Sequence, residues 1–126
     1  MSERYEPPRG WVRKFRNAFR GVVAGERSHS SFLVHAIATA AVIGLGAWFD
    51  VSASEWCLLT LCIVAVLTAE LFNSSIEALA KSVSEEYDAN IRDALDIASA
   101  AVLLTAIGAV VVGCIIFLPR LFALAA

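Results

Sequence analysis

Residues 56–81 read WCLLTLCIVAVLTAELFNSSIEALAK. From Trp56 to Ala69 the run carries no charge, and then Glu70, Asn73, Glu77 and Lys81 enter with no proline or glycine to break the pattern. A helix rising about 1.5 Å per residue crosses a hydrocarbon core about 30 Å thick between Trp56 and Ala80. Two further segments, Phe32 to Phe49 and about Ile97 to Leu118, are apolar over comparable lengths. The whole chain of 126 residues is 59% hydrophobic and 17% charged. Its mean hydropathy is positive, unlike that of a soluble domain of this size. The expected fold is an all-α membrane protein with three transmembrane helices.

Ahead of the first span, Trp11, Phe15, Phe19 and Val22 recur at helical spacing, with Arg13, Lys14, Arg16 and Arg20 between them. This pattern predicts an amphipathic helix lying at the membrane interface and anchoring the chain to anionic lipid. The expected organisation is a polar tail over 1–8 and one membrane domain over 9–126. Within it, the amphipathic helix covers 9–25 and the spans lie at about 32–49, 56–80 and 97–118. The ten basic and twelve acidic residues nearly balance, yet seven of the basic ones precede the first span. That asymmetry predicts a cytoplasmic N-terminus, and the 50–55 connection, DVSASE, contains no Lys or Arg to oppose it. The first apolar run starts too late for a cleavable secretory signal, so the start of the chain is expected to be retained. Cys57, Cys62 and Cys114 all fall inside spans without a C-x-x-C pair, which predicts packing roles rather than zinc binding or disulfides. Nothing in the chain points to nucleic acid.

With about 100° of rotation per residue, Glu70, Asn73, Glu77 and Lys81 project within an arc of about 80°. Counted from Trp56, Glu70 lies roughly 21 Å and Glu77 roughly 31 Å along the helix axis, so the stripe rises towards the cytoplasmic headgroups. Ionised groups at that depth are costly unless paired, protonated or bound to a cation, and they mark function by default. Carboxylate and amide oxygens suit a magnesium ion that shares its remaining sites with water and phosphate. A second carboxylate away from the metal suits a general base for a hydroxyl. A cation-coupled transporter also places acids in a bilayer, but three short unbroken spans make a poor transporter unit. An enzyme acting on a lipid headgroup fits the depth better.

The stretch AELFNSSIEALAKSVSEEY, followed by ALDIASAAVLL, resembles the small prokaryotic diacylglycerol kinase family, which includes undecaprenol kinases. The similarity runs from about Phe15 to Leu118. It implies a homotrimer in the bacterial cytoplasmic membrane that transfers the terminal phosphoryl group of ATP to a lipid alcohol, with magnesium. Diacylglycerol is the expected acceptor. Undecaprenol is the alternative, towards which ERSHSSFLVH and the FLPRL ending lean, and a non-catalytic nucleotide- or lipid-binding member is a further one. These kinases have no glycine-rich phosphate loop, and this chain has neither G-x-x-x-x-G-K-[ST] nor G-x-G-x-x-G.

By the same resemblance Glu77 holds the metal, Glu70 acts as base or substrate positioner, and Asn73 orients phosphate or metal. Glu86 and Asp96 are assigned to ATP, Asp96 also opening the third span beside the catalytic groups, and Arg16 and Lys81 are further candidates for ATP. The chain departs from the family at three positions. His29 stands where a second metal-binding Glu is usual, with Glu26 one turn earlier as the other candidate. Leu95 replaces the usual Lys before Asp96, and Lys81 replaces an Asp. Lys81 either contacts phosphate in place of the missing lysine or extends to the headgroups. His35, inside the first span, is expected to be a satisfied polar contact rather than a ligand.

Overall fold

The computed structural model describes residues 4, 6, 7, 9–28, 30–83 and 85–126, without the side chains of 25–28 and 30. The described residues form four helices: α1 (Trp11–Ser28), α2 (Ser30–Trp48), α3 (Ala53–Val83) and α4 (Ala89–Ala125). There is no strand among them. Three of the helices, α2, α3 and α4, are long and apolar enough to cross a membrane. Large side chains such as Leu61, Leu104 and Ile115 are exposed along their length. Bare apolar walls of this kind suit lipid or neighbouring helices, since lipid tails impose no penalty on them. On α1, Trp11, Phe15 and Phe19 are likewise exposed, and Lys14 sits 4.9 Å from the Trp11 ring.

The long helices owe their bounds to local chemistry. Gly10, at φ 97°, turns the chain into α1, a backbone conformation that glycine adopts without strain. Between α2 and α3, Asp50 takes φ 48°, while the amides of Asp50 and Val51 donate to the carbonyls of Ala47 and Gly46. This is a Schellman ending with Asp at the left-handed position, and Val51 folds back into the core. Then α3 starts with a reciprocal cap. The Ser52 amide donates to Glu55 Oε2 at 2.8 Å, and the Glu55 amide donates to Ser52 Oγ at 3.2 Å. Asp88 caps α4, its carboxylate accepting from the amides of Asn90 and Ile91. These caps start α3 and α4 several residues ahead of the apolar runs, and both helices also end several residues beyond them.

The most extensive pairing is α3 with α4; α2 lies against α3, and α1 touches both α2 and α3. The tight core sits at the end of the bundle holding the α2–α3 turn, termed here the turn end. Val51, Leu59, Ile116 and Phe117 are buried there, with Val42, Leu45, Phe49, Trp56 and Val112 packed around them. Glycine at 46 is required by this packing, because a Cβ would stand 2.6 Å from the Trp56 ring. Arg120 clasps the same end: Nη1 and Nη2 donate to the two Glu55 oxygens at 3.0 and 2.9 Å, and Nη1 also reaches the Ile116 carbonyl. Such a two-pronged guanidinium–carboxylate contact fixes direction as well as distance.

Candidate functional site

At the opposite, loop end, the stripe on α3 faces α2 and the start of α4. Glu70 is only 3% exposed. Its Oε1 lies 2.8 Å from His35 Nε2 on α2, and its Oε2 accepts the Ser31 hydroxyl at 3.4 Å. A carboxylate this deeply buried is costly, and donors from a second helix offset part of its lost hydration. The expected satisfied polar contact of His35 is therefore made, and its partner is Glu70.

One turn further on, Asn73 Nδ2 donates to Glu77 Oε1 at 3.0 Å, the i to i+4 spacing bringing the two together. Asn73 Oδ1 is buried and, among the described residues, has no hydrogen-bond partner. Glu77 is half-buried and borders a cavity of about 380 Å³ lined also by Ala80, Lys81, Ile91 and Leu95. The lysine and the leucine that depart from the family pattern thus share one cavity, Lys81 from α3 and Leu95 from α4. A second cavity, of about 700 Å³, lies between α3 and α4 and meets Asn73 with small side chains including Ala69, Ala94 and Ala98.

The remaining candidates lie further out. Asp96 is exposed on α4 and is not among the residues lining the Lys81 cavity. Glu86 is exposed in the bend between α3 and α4, and Arg16 is exposed on α1. His29 lies outside the described residues, as does the side chain of Glu26. No three His, Cys, Asp or Glu side chains converge among the described residues. Among the described residues, the Glu77 carboxylate and Asn73 Oδ1, which has no partner there, are donors able to hold a hard cation, an oxygen set of the type magnesium takes when water and phosphates complete its shell. Sequence reasoning misses Ser31 because a serine in the polar SHSS stretch at the head of an apolar run carries no signal that sets it apart from its neighbours.

The family model described as prokaryotic diacylglycerol kinase matches residues 16–117. An undecaprenol kinase of Bacillus subtilis is 31% identical over 111 residues, covering 88% of this chain and 90% of that protein. A diacylglycerol kinase of Escherichia coli K12 is 31% identical over 99 residues, covering 79% of this chain and 81% of its own length. A diacylglycerol kinase of Synechocystis is 33% identical over 111 residues, covering 87% of this chain and 63% of its own. The matched span contains all of α2 and α3, the whole stripe from Glu70 to Lys81, and Leu95 and Asp96 on α4. With most of its length inside the family model, this chain belongs to the prokaryotic diacylglycerol kinase family.

Proposed function

We propose that this chain is an ATP-dependent lipid kinase acting on diacylglycerol, with Glu70 as the base and Glu77 as the principal metal ligand. In the step envisaged, the acceptor hydroxyl oxygen forms a bond to the γ-phosphorus while the bond from that phosphorus to the bridging oxygen of ATP breaks. ADP leaves with the electron pair, and the hydroxyl proton passes to the Glu70 carboxylate. The observation that carries this reading is the division of labour along α3. Glu70 is buried beside α2, whereas Glu77, two turns nearer the loop, borders a cavity that Lys81 also lines. Phosphoryl transfer needs positioning and charge neutralisation above all, and a base at lipid depth with a cation site at the headgroups supplies both.

Magnesium held by Glu77 and Asn73 Oδ1 would neutralise charge on the transferring phosphoryl group. Glu77 keeps one oxygen on the Asn73 amide, which orients the carboxylate. Lys81 reaches into the cavity beside it and stands in for the lysine usual where Leu95 is found. Arg16, Glu86 and Asp96 contribute to ATP from the rim, and His29 or Glu26 completes the metal site. The active assembly is a homotrimer in the cytoplasmic membrane with its N-terminus inside the cell. Size-exclusion chromatography with light scattering in detergent tests the trimer, a monomer mass counting against it. A Ser52→Cys variant lacking the three native cysteines should react with an impermeant thiol reagent from outside intact cells. Labelling only after lysis would reverse the orientation.

Undecaprenol is a second acceptor reading, supported by the match to an undecaprenol kinase over 88% of this chain. Purified protein in lipid vesicles, given labelled ATP and diacylglycerol or undecaprenol separately, distinguishes the two. Label in diacylglycerol alone supports the first reading, label in undecaprenol alone replaces it with the second, and label in neither removes the kinase assignment.

A further inference from the structure

Glu70 is held unevenly. One oxygen is anchored at 2.8 Å by the His35 imidazole, itself largely buried, whereas the other, among the described residues, carries the longer 3.4 Å contact from Ser31, an exposed residue. Both contacts come from α2, a helix that otherwise packs on α3 far less extensively than α4 does. A carboxylate on a three-bond stem would otherwise rotate among several orientations. The His35 ring also lines an apolar cavity of about 400 Å³ bounded by all three long helices, with Thr39 and Val42 of α2, Val66 of α3 and Val110 of α4 on its walls. Among the described residues, His35 links Glu70 to this cavity through a side-chain contact from a second helix.

We infer that His35 is a positioning residue: its Nε2–H fixes Glu70 Oε1 so that Oε2 is presented to the acceptor hydroxyl. The inference rests on the reading of Glu70 as base. Oε2 is able to accept a hydroxyl, as its 3.4 Å contact from the Ser31 hydroxyl shows, and that contact is long enough to be exchanged for a substrate hydroxyl. The acceptor proton then passes to Oε2 while Oε1 keeps its bond to the imidazole. Losing the anchor leaves the base in place but wrongly turned, so the chemical step slows while binding of ATP and lipid does not.

The test uses the full chain in lipid vesicles, labelled ATP and whichever lipid the parent phosphorylates. His35→Leu should lower kcat by about thirtyfold with both KM values within about twofold, the pattern of an interaction that matters in the transition state. His35→Gln places an N–H donor at similar reach and should stay within about threefold of the parent. Glu70→Gln, run alongside, should fall at least about a hundredfold. If Glu70→Gln is impaired and His35→Leu keeps the parental kcat, the positioning role is wrong while the base survives. A rise in lipid KM with kcat preserved, or a Gln variant as poor as Leu, also overturns it. A fully active Glu70→Gln removes the base reading itself. Should the Leu variant fail to fold, His35→Asn, whose amide falls short of Glu70, should show the same loss in kcat, and a parental kcat there overturns the proposal.

Discussion

The two ends of the bundle solve opposite problems. At the turn end, Val51, Leu59, Ile116 and Phe117 are buried, glycine stands where no Cβ fits, and every oxygen of Glu55 is engaged by Arg120 or the Ser52 amide. At the loop end, cavities of about 380 and 700 Å³ border Glu77, Lys81 and Asn73, and a buried amide oxygen has no partner among the described residues. Helices in lipid are held by close packing and interhelical hydrogen bonds rather than by exclusion from water. Stability can therefore be concentrated at one end, leaving groups unsatisfied at the other until substrate arrives. Strain and incomplete pairing at functional sites follow this pattern generally.

The comparison breaks most sharply at Glu77. Glu77→Gln keeps the shape and removes the charge, so turnover should fall at least about a hundredfold with resistance to thermal inactivation unchanged. An equal loss of stability would mean that the loop end also supports the fold. At the other end, Gly46→Ala pushes a methyl group into the Trp56 ring and should destabilise by about 1–3 kcal/mol, measured by unfolding in mixed micelles, with kcat of the folded fraction unaltered. A parental unfolding curve would show that the turn end is looser than its packing implies.

Smaller effects sharpen the contrast. Lys81→Met keeps the apolar stem and should lower kcat/KM about tenfold, or 1.4 kcal/mol, if the ammonium meets phosphate. Lys81→Asp combined with Leu95→Lys should recover much of that loss, because the cation returns to the same cavity from α4. A Met variant equal to the parent would leave Lys81 as a headgroup contact only. Smallest of all, Cys57→Ala alters an exposed side chain near the start of α3, and turnover should stay within about twofold of the parent.

The three spans are legible in the sequence because length and apolar content are enough to identify a crossing helix. The polar stripe is legible for a related reason, since Glu70, Asn73 and Glu77 are conspicuous against such a background. Its internal pairings are less so. Asn73 with Glu77 follows from i to i+4 spacing, but Glu70 is joined to Ser31 and His35, 39 and 35 positions earlier, through a helix packing no local rule supplies. The cap at Ser52 and Glu55 has a readable signature in SASE, whereas the grip of Arg120 on Glu55 spans 65 positions and has none. Asp96 and Glu86 are placed by family resemblance alone, and the single chain leaves both at its surface.

The Arg120–Glu55 clasp also bears on how the chain is made. Arg120 is the last basic residue in the sequence, and on the proposed orientation it has to be delivered across the membrane against the usual bias that retains cations inside. Glu55 travels to the same face. If α3 and α4 enter the bilayer as a hairpin already joined at its open end, the two exported helix ends move as a neutral pair and the electrical work on the two charges cancels. The clasp would then serve first in biogenesis, as an internal counter-ion that lets the final helix leave the translocation machinery without a stranded positive charge.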